Sequence, residues 1–177
     1  GIAAFFMRWI QPGLTFWFIT RLALEQCATV AEGVELICSL PHAGSWTYLL
    51  ADAAGNAAVV EPGADGCAVR SPEDGLLVMT NHAVCPQWAG KESFVPLDSK
   101  RRYRRLKTLL GTRRDVDLEV MKAALADHPG MVCAHGEAHA KRRFGTLWSL
   151  VGIPGERRVE VGDLVRPGDP LFLLETP

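Results

Sequence analysis

Charge of one sign, long apolar runs and regularly spaced cysteines are all scarce in this chain of 177 residues. Its 19 basic and 20 acidic side chains leave a formal net charge of −1. No global attraction to nucleic acid or to an anionic membrane follows, and any such role would have to come from a local patch. The longest charge-free apolar stretch near the start, Trp9 to Thr20, is broken by Gln11-Pro12-Gly13 and falls well short of the ~20 residues that span a bilayer. The opening residues, Gly1-Ile-Ala-Ala-Phe-Phe-Met7, have neither the basic leader nor the small-residue cleavage site of a signal peptide, so no membrane segment is expected. The five cysteines (Cys27, Cys38, Cys67, Cys85, Cys133) are too few and too irregular for a disulfide scaffold or a zinc knuckle. Their odd count leaves at least one thiol unpaired, and a reducing, cytoplasmic compartment is the expectation. Internal repeats, a Gly-rich phosphate loop and a Ser-His-Asp signature are also missing.

What the chain does carry is a 48% apolar fraction, enough to bury a real core in a single domain over residues 1–177. Because it opens on an apolar segment without Met, it reads as the C-terminal portion of a longer protein. Thr15 to about Cys27 predicts a mostly buried helix, with Arg21 and Glu25 four apart. Thr29-Val-Ala-Glu32 fits a capping box, and Val30, Val34 and Ile37 continue one apolar face toward Pro41. The period then switches to two from Trp46 to Asp52, and Gly55-Asn56 reverses the chain into Ala57 to Glu61, a hairpin. Cys67 to Arg70 and Leu76 to Thr80, separated by Ser71-Pro72-Glu73-Asp74-Gly75, complete four antiparallel strands in succession. A helix capped by Asp98 or Ser99 runs to about Leu110 and ends at Gly111, and another starts at Asp115 or Asp117 and runs through Ala126. Strands return at Met131 to Ala134, Thr146 to Val151 and Arg157 to Val161. Helices, strands, helices, strands is the order of an α+β domain rather than of an alternating parallel sheet.

Four groups of residues are candidates for function. Lys100, Arg101, Arg102, Arg104, Arg105, Lys107, Arg113 and Arg114 hold eight of the 19 basic side chains. Helical geometry puts Lys100, Arg101, Arg104, Arg105 and Lys107 on a solvated surface, while Arg102 shares a face with Leu106, Leu109 and Leu110. A guanidinium on an apolar face needs a carboxylate, carbonyls or a substrate, because stranding it costs several kcal/mol. His128, Cys133, His135 and His139 are zinc-ligand types, but their spacing, broken by Pro129-Gly130 and Gly136, argues against a metal site. Val161 to Phe172 is similar to a carrier-domain hairpin yet lacks the modifiable Lys, and reads as a turn-rich strand pair. Thr80-Asn81-His82 ends an apolar strand with three polar side chains: Asn81 either stabilises the following turn or serves as a rigid, uncharged donor to a developing oxyanion.

Together the segments resemble one family. Arg21-Leu-Ala-Leu-Glu25 with Thr29-Val-Ala-Glu32, Tyr48-Leu-Leu-Ala-Asp52-Ala-Ala-Gly55 with Val59-Val-Glu61, Thr80-Asn81-His82, Ser99-Lys-Arg-Arg102-Tyr103, Cys133-Ala-His135 and Thr146-Leu-Trp-Ser149 occur in the order seen in the acyl-CoA:6-aminopenicillanate acyltransferase family. That family belongs to the N-terminal-nucleophile (Ntn) hydrolases and is related to choloylglycine hydrolases. The resemblance covers about residues 13–160 and implies an αββα sandwich of antiparallel sheets between helix layers, of which this chain is the C-terminal part.

The resemblance further implies an autoproteolytic enzyme. Its new N-terminal Cys attacks a linear amide or thioester carbonyl, with its own α-amine as base, and the acyl-enzyme passes its acyl group to water or an amine. By the same resemblance Asn81 supplies the oxyanion-stabilising amide, Arg102 is the active-site arginine and His82 is a substrate-binding motif residue; Asp52 and Glu61 are read as structural. Neither a metal nor a cofactor is implied. The implied partners are a small-molecule amide or acyl-CoA substrate and the missing N-terminal part of the same protein, not nucleic acid or membrane. No cysteine of this chain occupies the nucleophile position, so the chain alone is expected to be inactive. The alternative is a non-catalytic α+β module that binds an anionic partner through the basic helix 99–110.

Overall fold

Residues 4–5, 12–63, 66–88, 91, 95, 97–134, 146 and 149–162 are described by a computed structural model. Helix α1 spans Phe16–Gln26 and α2 spans Val30–Ser39. The capping box of α2 is complete: Thr29 Oγ1 accepts from the Glu32 N–H at 3.3 Å, and Glu32 Oε2 accepts from the N–H groups of Thr29 at 3.1 Å and Ala28 at 2.7 Å. These bonds to amides at the helix start hold the Glu32 carboxyl below its usual range. Asp52 adds a cap from a distance, since its Oδ2 accepts from the Val30 N–H at 3.1 Å while Oδ1 accepts from Ala54 and Asn56 N–H, both at 3.0 Å. One carboxylate thus fixes a hairpin turn and the start of a helix.

Strand β1 (Ala4–Phe5) pairs with β2 (Ser45–Trp46). Strands β3 (Tyr48–Ala51), β4 (Ala57–Gly63) and β5 (Gly66–Arg70) form an antiparallel meander in which Tyr48 opposes Val60 and Glu61 opposes Ala68. Successive strand side chains point to opposite faces. Val60 therefore enters the core with Ile19, Ile37 and Tyr48, whereas Val59 and Glu61 look to the other side. Fully buried Ile19, Ile37 and Val60 each contribute about 2 kcal/mol of apolar burial. Gly33 lets α2 settle on the sheet, because a Cβ there would lie 3.1 Å from Leu50 Cδ1.

The remaining elements are α3 (Leu97–Leu110), α4 (Leu118–Leu125) and the hairpin β6 (Ser149–Ile153) and β7 (Arg158–Gly162). Of the two candidate caps for α4, Asp117 takes the role and accepts from the Val120 N–H at 2.8 Å. The architecture is α+β, helices with antiparallel sheets.

Several expectations are corrected. Leu76 to Thr80 is not a strand: Glu73 and Leu76 close a tight turn, Thr80 bridges to His82, and the carbonyl of Val78 is taken by the Arg70 guanidinium. Met131 to Ala134 is a turn rather than a strand, because its amides are used locally: Met131 N–H by His128 O at 2.9 Å and Cys133 N–H by Asp127 O at 3.0 Å. Helix α1 is not mostly buried, since Trp17 is 66%, Phe18 64% and Leu24 78% exposed and only Ile19 and Ala23 are covered. Cys38 and Cys67 do not remain thiols: they are joined in a disulfide, with Cα atoms 5.5 Å apart, that ties the end of α2 to β5. His135, His139 and the segment 163–172 lie outside the described residues. Among the described residues, no helix is long and apolar enough to cross a membrane.

Candidate functional site

Asn81 follows the Val78 to Thr80 segment, and Arg102 lies one turn into α3. The two meet: Arg102 Nη2 donates to Asn81 Oδ1 at 2.6 Å and lies 3.5 Å from Asp98 Oδ2, one turn back along α3. A guanidinium has no acceptor, so the amide atom it meets is the oxygen, and the –NH2 end points away from it. The odd arginine of the apolar face thereby has its partners, a half-buried amide and a carboxylate, within one cluster.

The residues on either side of Asn81 are anchored to the same helix. His82 Nδ1 is 2.8 Å from Ser99 Oγ and 3.0 Å from Thr80 Oγ1, and the two hydroxyls are 3.1 Å apart. All three side chains are buried, Ser99 completely. The His82 ring also meets Tyr103 edge-on, with centroids 5.5 Å apart. Burial, seconded by the nearby Lys100 charge, pushes the His82 imidazole below its usual value, although Glu61 pulls the other way. The neutral ring is thus a member of a packed hydroxyl network, and this is where the residue expected to touch substrate lies.

A second cluster sits behind this one, on the sheet. Glu61 is 2% exposed. Its Oε1 accepts from Arg70 Nε at 3.1 Å and from the Val84 N–H at 3.1 Å, and its Oε2 accepts from the N–H groups of Val84 at 3.2 Å and Cys85 at 3.0 Å. Arg70 lies diagonally across the β4–β5 pairing on the same face, and its Nη2 continues to Val78 O at 3.2 Å. The Trp88 indole N–H donates to Glu61 O at 3.0 Å, and its ring covers Gly63, where a Cβ would come within 2.5 Å of it. An apolar cleft of about 610 Å³ opens between α1, α2 and residues 46–53, with Met79 on its lining. Its size is that of a small-molecule site.

The family model for acyl-coenzyme A:6-aminopenicillanic acid acyl-transferase matches residues 2–161. The chain belongs to this family. No curated protein and no solved structure gives a match. Membership in the acyl-transferase family brings acyltransferase chemistry on small-molecule acyl substrates as the general activity.

In this family member the other sequence candidates fall as follows. Three cations of the basic helix serve the fold: Arg105 forms a two-pronged contact with Asp127, at 2.9 and 2.6 Å, Arg101 donates to Pro129 O at 2.6 Å, and Lys107 lies 3.3 Å from Glu73. The Asp127 carboxyl is held low by Arg105 first of all. Cys133 is fully buried, which pushes its thiol up, and His128 and Cys133 belong to no group of three or more potential metal ligands among the described residues. Asp52 and Glu61 flank the hairpin turn. Asp52 is a cap, but Glu61 reaches the main chain beyond Asn81, and Arg70 and Ser99 carry contacts that residue type alone did not single out. The available signal was Glu61 itself, a lone acid directly after the apolar run Ala57 to Val60.

Proposed function

We propose that this domain is the part of a cysteine Ntn amidohydrolase or acyltransferase, acting on linear amides or acyl thioesters, that carries the oxyanion donor and its supporting arginine. The observation that carries the reading is the Arg102–Asn81 contact, in which a cation claims the amide oxygen and so fixes which end of the group donates. Its fold, on this reading, is the C-terminal portion of an αββα sandwich.

The chemistry would run through an N-terminal cysteine supplied by the preceding part of the protein. The α-amine of that Cys, with an ordinary pKa near ~8, takes the thiol proton as sulfur attacks the carbonyl carbon. Charge developing on the carbonyl oxygen is met by the Asn81 –NH2. Collapse breaks the C–N or C–S bond, and the amine base returns its proton to the leaving group. The thioester acyl-enzyme is then attacked by water or by an acceptor amine. Of the chain's own cysteines, Cys38 and Cys67 are bonded to each other and Cys133 is enclosed, which takes these three out of the role of nucleophile.

The test has two parts. Mass and N-terminal analysis of the complete protein should find a chain that begins with Cys after self-cleavage and contains these residues; a complete protein that stays uncleaved would refute the mechanism. Asn81→Ala should then lower kcat about a hundredfold or more, as expected for loss of an oxyanion donor, and a loss under about threefold would remove Asn81 from that role.

A further inference from the structure

We propose that the Glu61–Arg70 pair, with its carboxylate buried and its guanidinium partly so, is the positioning device of the Asn81 segment, gripping its main chain on both sides and fixing the donor relative to the sheet. The proposal rests on the reading of Asn81 as the oxyanion donor. Arg70 Nη2 holds Val78 O at 3.2 Å, three residues before Asn81. Glu61 holds the N–H groups of Val84 and Cys85, three and four residues after it, at 3.0 to 3.2 Å. The two side chains are joined at 3.1 Å and stand on adjacent strands of the meander. A single ion pair thus spans the segment from one end to the other.

Stability is a poor reason for this arrangement. A buried ion pair is often matched or bettered by apolar residues of similar volume, because desolvation offsets the attraction. What an apolar pair cannot do is hold two amides and a carbonyl of a non-helical, non-strand segment at fixed positions. A carboxylate offers up to about four acceptor sites, and Glu61 uses its two oxygens for three donors in four contacts. The segment is independently tied to α3 through Arg102–Asn81 and through the Thr80–His82–Ser99 hydroxyl network. Asn81 is therefore located from two directions, by the helix through side chains and by the sheet through main chain. Preorganised donors act catalytically only when so held, and a shift of about 1 Å in such a group can cost about a hundredfold in rate.

The experiment compares Glu61→Gln and Arg70→Lys with the parent in the complete, self-cleaved protein, with Lys107→Gln on the exposed surface as control. Gln keeps the shape but turns one acceptor oxygen into a donor facing donors. Lys keeps the charge but loses the planar reach to Val78 O. Expected is a fall of about tenfold or more in kcat per active site titrated by acyl-enzyme burst, with KM changed by less than about twofold. Amide exchange at Val84 and Cys85 should accelerate about tenfold or more, while Val60 and Ile37 in the core keep their protection. A merely structural pair would lower the melting temperature and the yield but leave kcat per titrated site unchanged. Both variants retaining kcat within about twofold would overturn the proposal, as would unaltered exchange at Val84 and Cys85. If Glu61→Gln does not fold, Arg70→Lys decides alone. A parent protein without acyl transfer or hydrolysis would refute the functional reading instead, and exchange at Val84 and Cys85 would still decide whether the pair holds the segment.

Discussion

The Cys38–Cys67 bond allows a stability prediction that can be worked from chain geometry. Its partners are 29 residues apart, and closing a loop of that length in the unfolded chain removes conformational entropy worth roughly 3.5 kcal/mol at 25 °C. Cys38 is exposed and Cys67 half-buried at the edge of the core, so replacing both with Ser leaves no hydroxyl fully enclosed, and the reduced parent separates the cross-link from the substitutions. For a domain of this size that corresponds to a fall of about 10 °C in melting temperature. The assay is thermal unfolding of three samples: the oxidised parent, the parent with a reductant, and Cys38→Ser/Cys67→Ser. The last two should melt together, well below the first. A double variant melting within about 2 °C of the oxidised parent would refute the reasoning, and so would an oxidised parent whose intact mass does not rise by about 2 Da on reduction.

Three further outcomes are expected. Arg102→Ala and Asn81→Ala should be coupled in a double-mutant cycle by about 1 kcal/mol or more of transition-state energy, because each acts through the other; additive effects would dissolve the pair. The His82 ring should titrate below 6.5 by NMR, since burial disfavours its charge; the unfolded chain then takes up the proton first, and stability declines as pH drops through 6.5 toward the folded value. A midpoint at or above 6.5 would count against the hydroxyl network. Asp127 has the same sign in a lower window: Arg105 depresses its carboxyl, so its contribution is present above 3.8 and is lost as pH falls through the folded value. Denaturant melts from pH 5 to pH 3 should therefore fall less steeply for Asp127→Asn than for the parent.

Where local chemistry decides, the sequence was readable. Thr29 and Glu32 announced the start of α2, one of two aspartates announced α4, and the alternation from Tyr48 to Ala51 with Gly55-Asn56 announced the hairpin. The misreadings share one cause. Leu76 to Thr80 and Met131 to Ala134 have strand-like composition, but their backbone groups are claimed by Arg70 in the first case and by a turn at Asp127 to His128 in the second, partners that composition does not encode. Likewise α1 has apolar residues on most of its circumference, and periodicity cannot say which of them find a neighbour. Helical spacing singled out Arg102 as in need of a partner, and the resemblance gave Asn81 and Arg102 each an active-site role, but nothing in the sequence paired the two across 21 residues. Glu61 was visible as an acid in an apolar strand, but the amides it holds lie 23 and 24 residues on and could not be read from spacing.

Strand β4 gives consecutive residues to two different tasks, Val60 to the hydrophobic core and Glu61 to the segment around Asn81. A strand displaced by one residue turns every side chain to the opposite face. In this domain such a slip would drive a carboxylate among Ile19, Ile37 and Tyr48 and leave a valine facing the amides of Val84 and Cys85. Assembly errors here would be self-reporting: a misregistered hairpin could not pass as a well-folded protein with a faulty site, because the same slip would ruin both. Quality control at the level of folding would then serve as quality control of the chemistry.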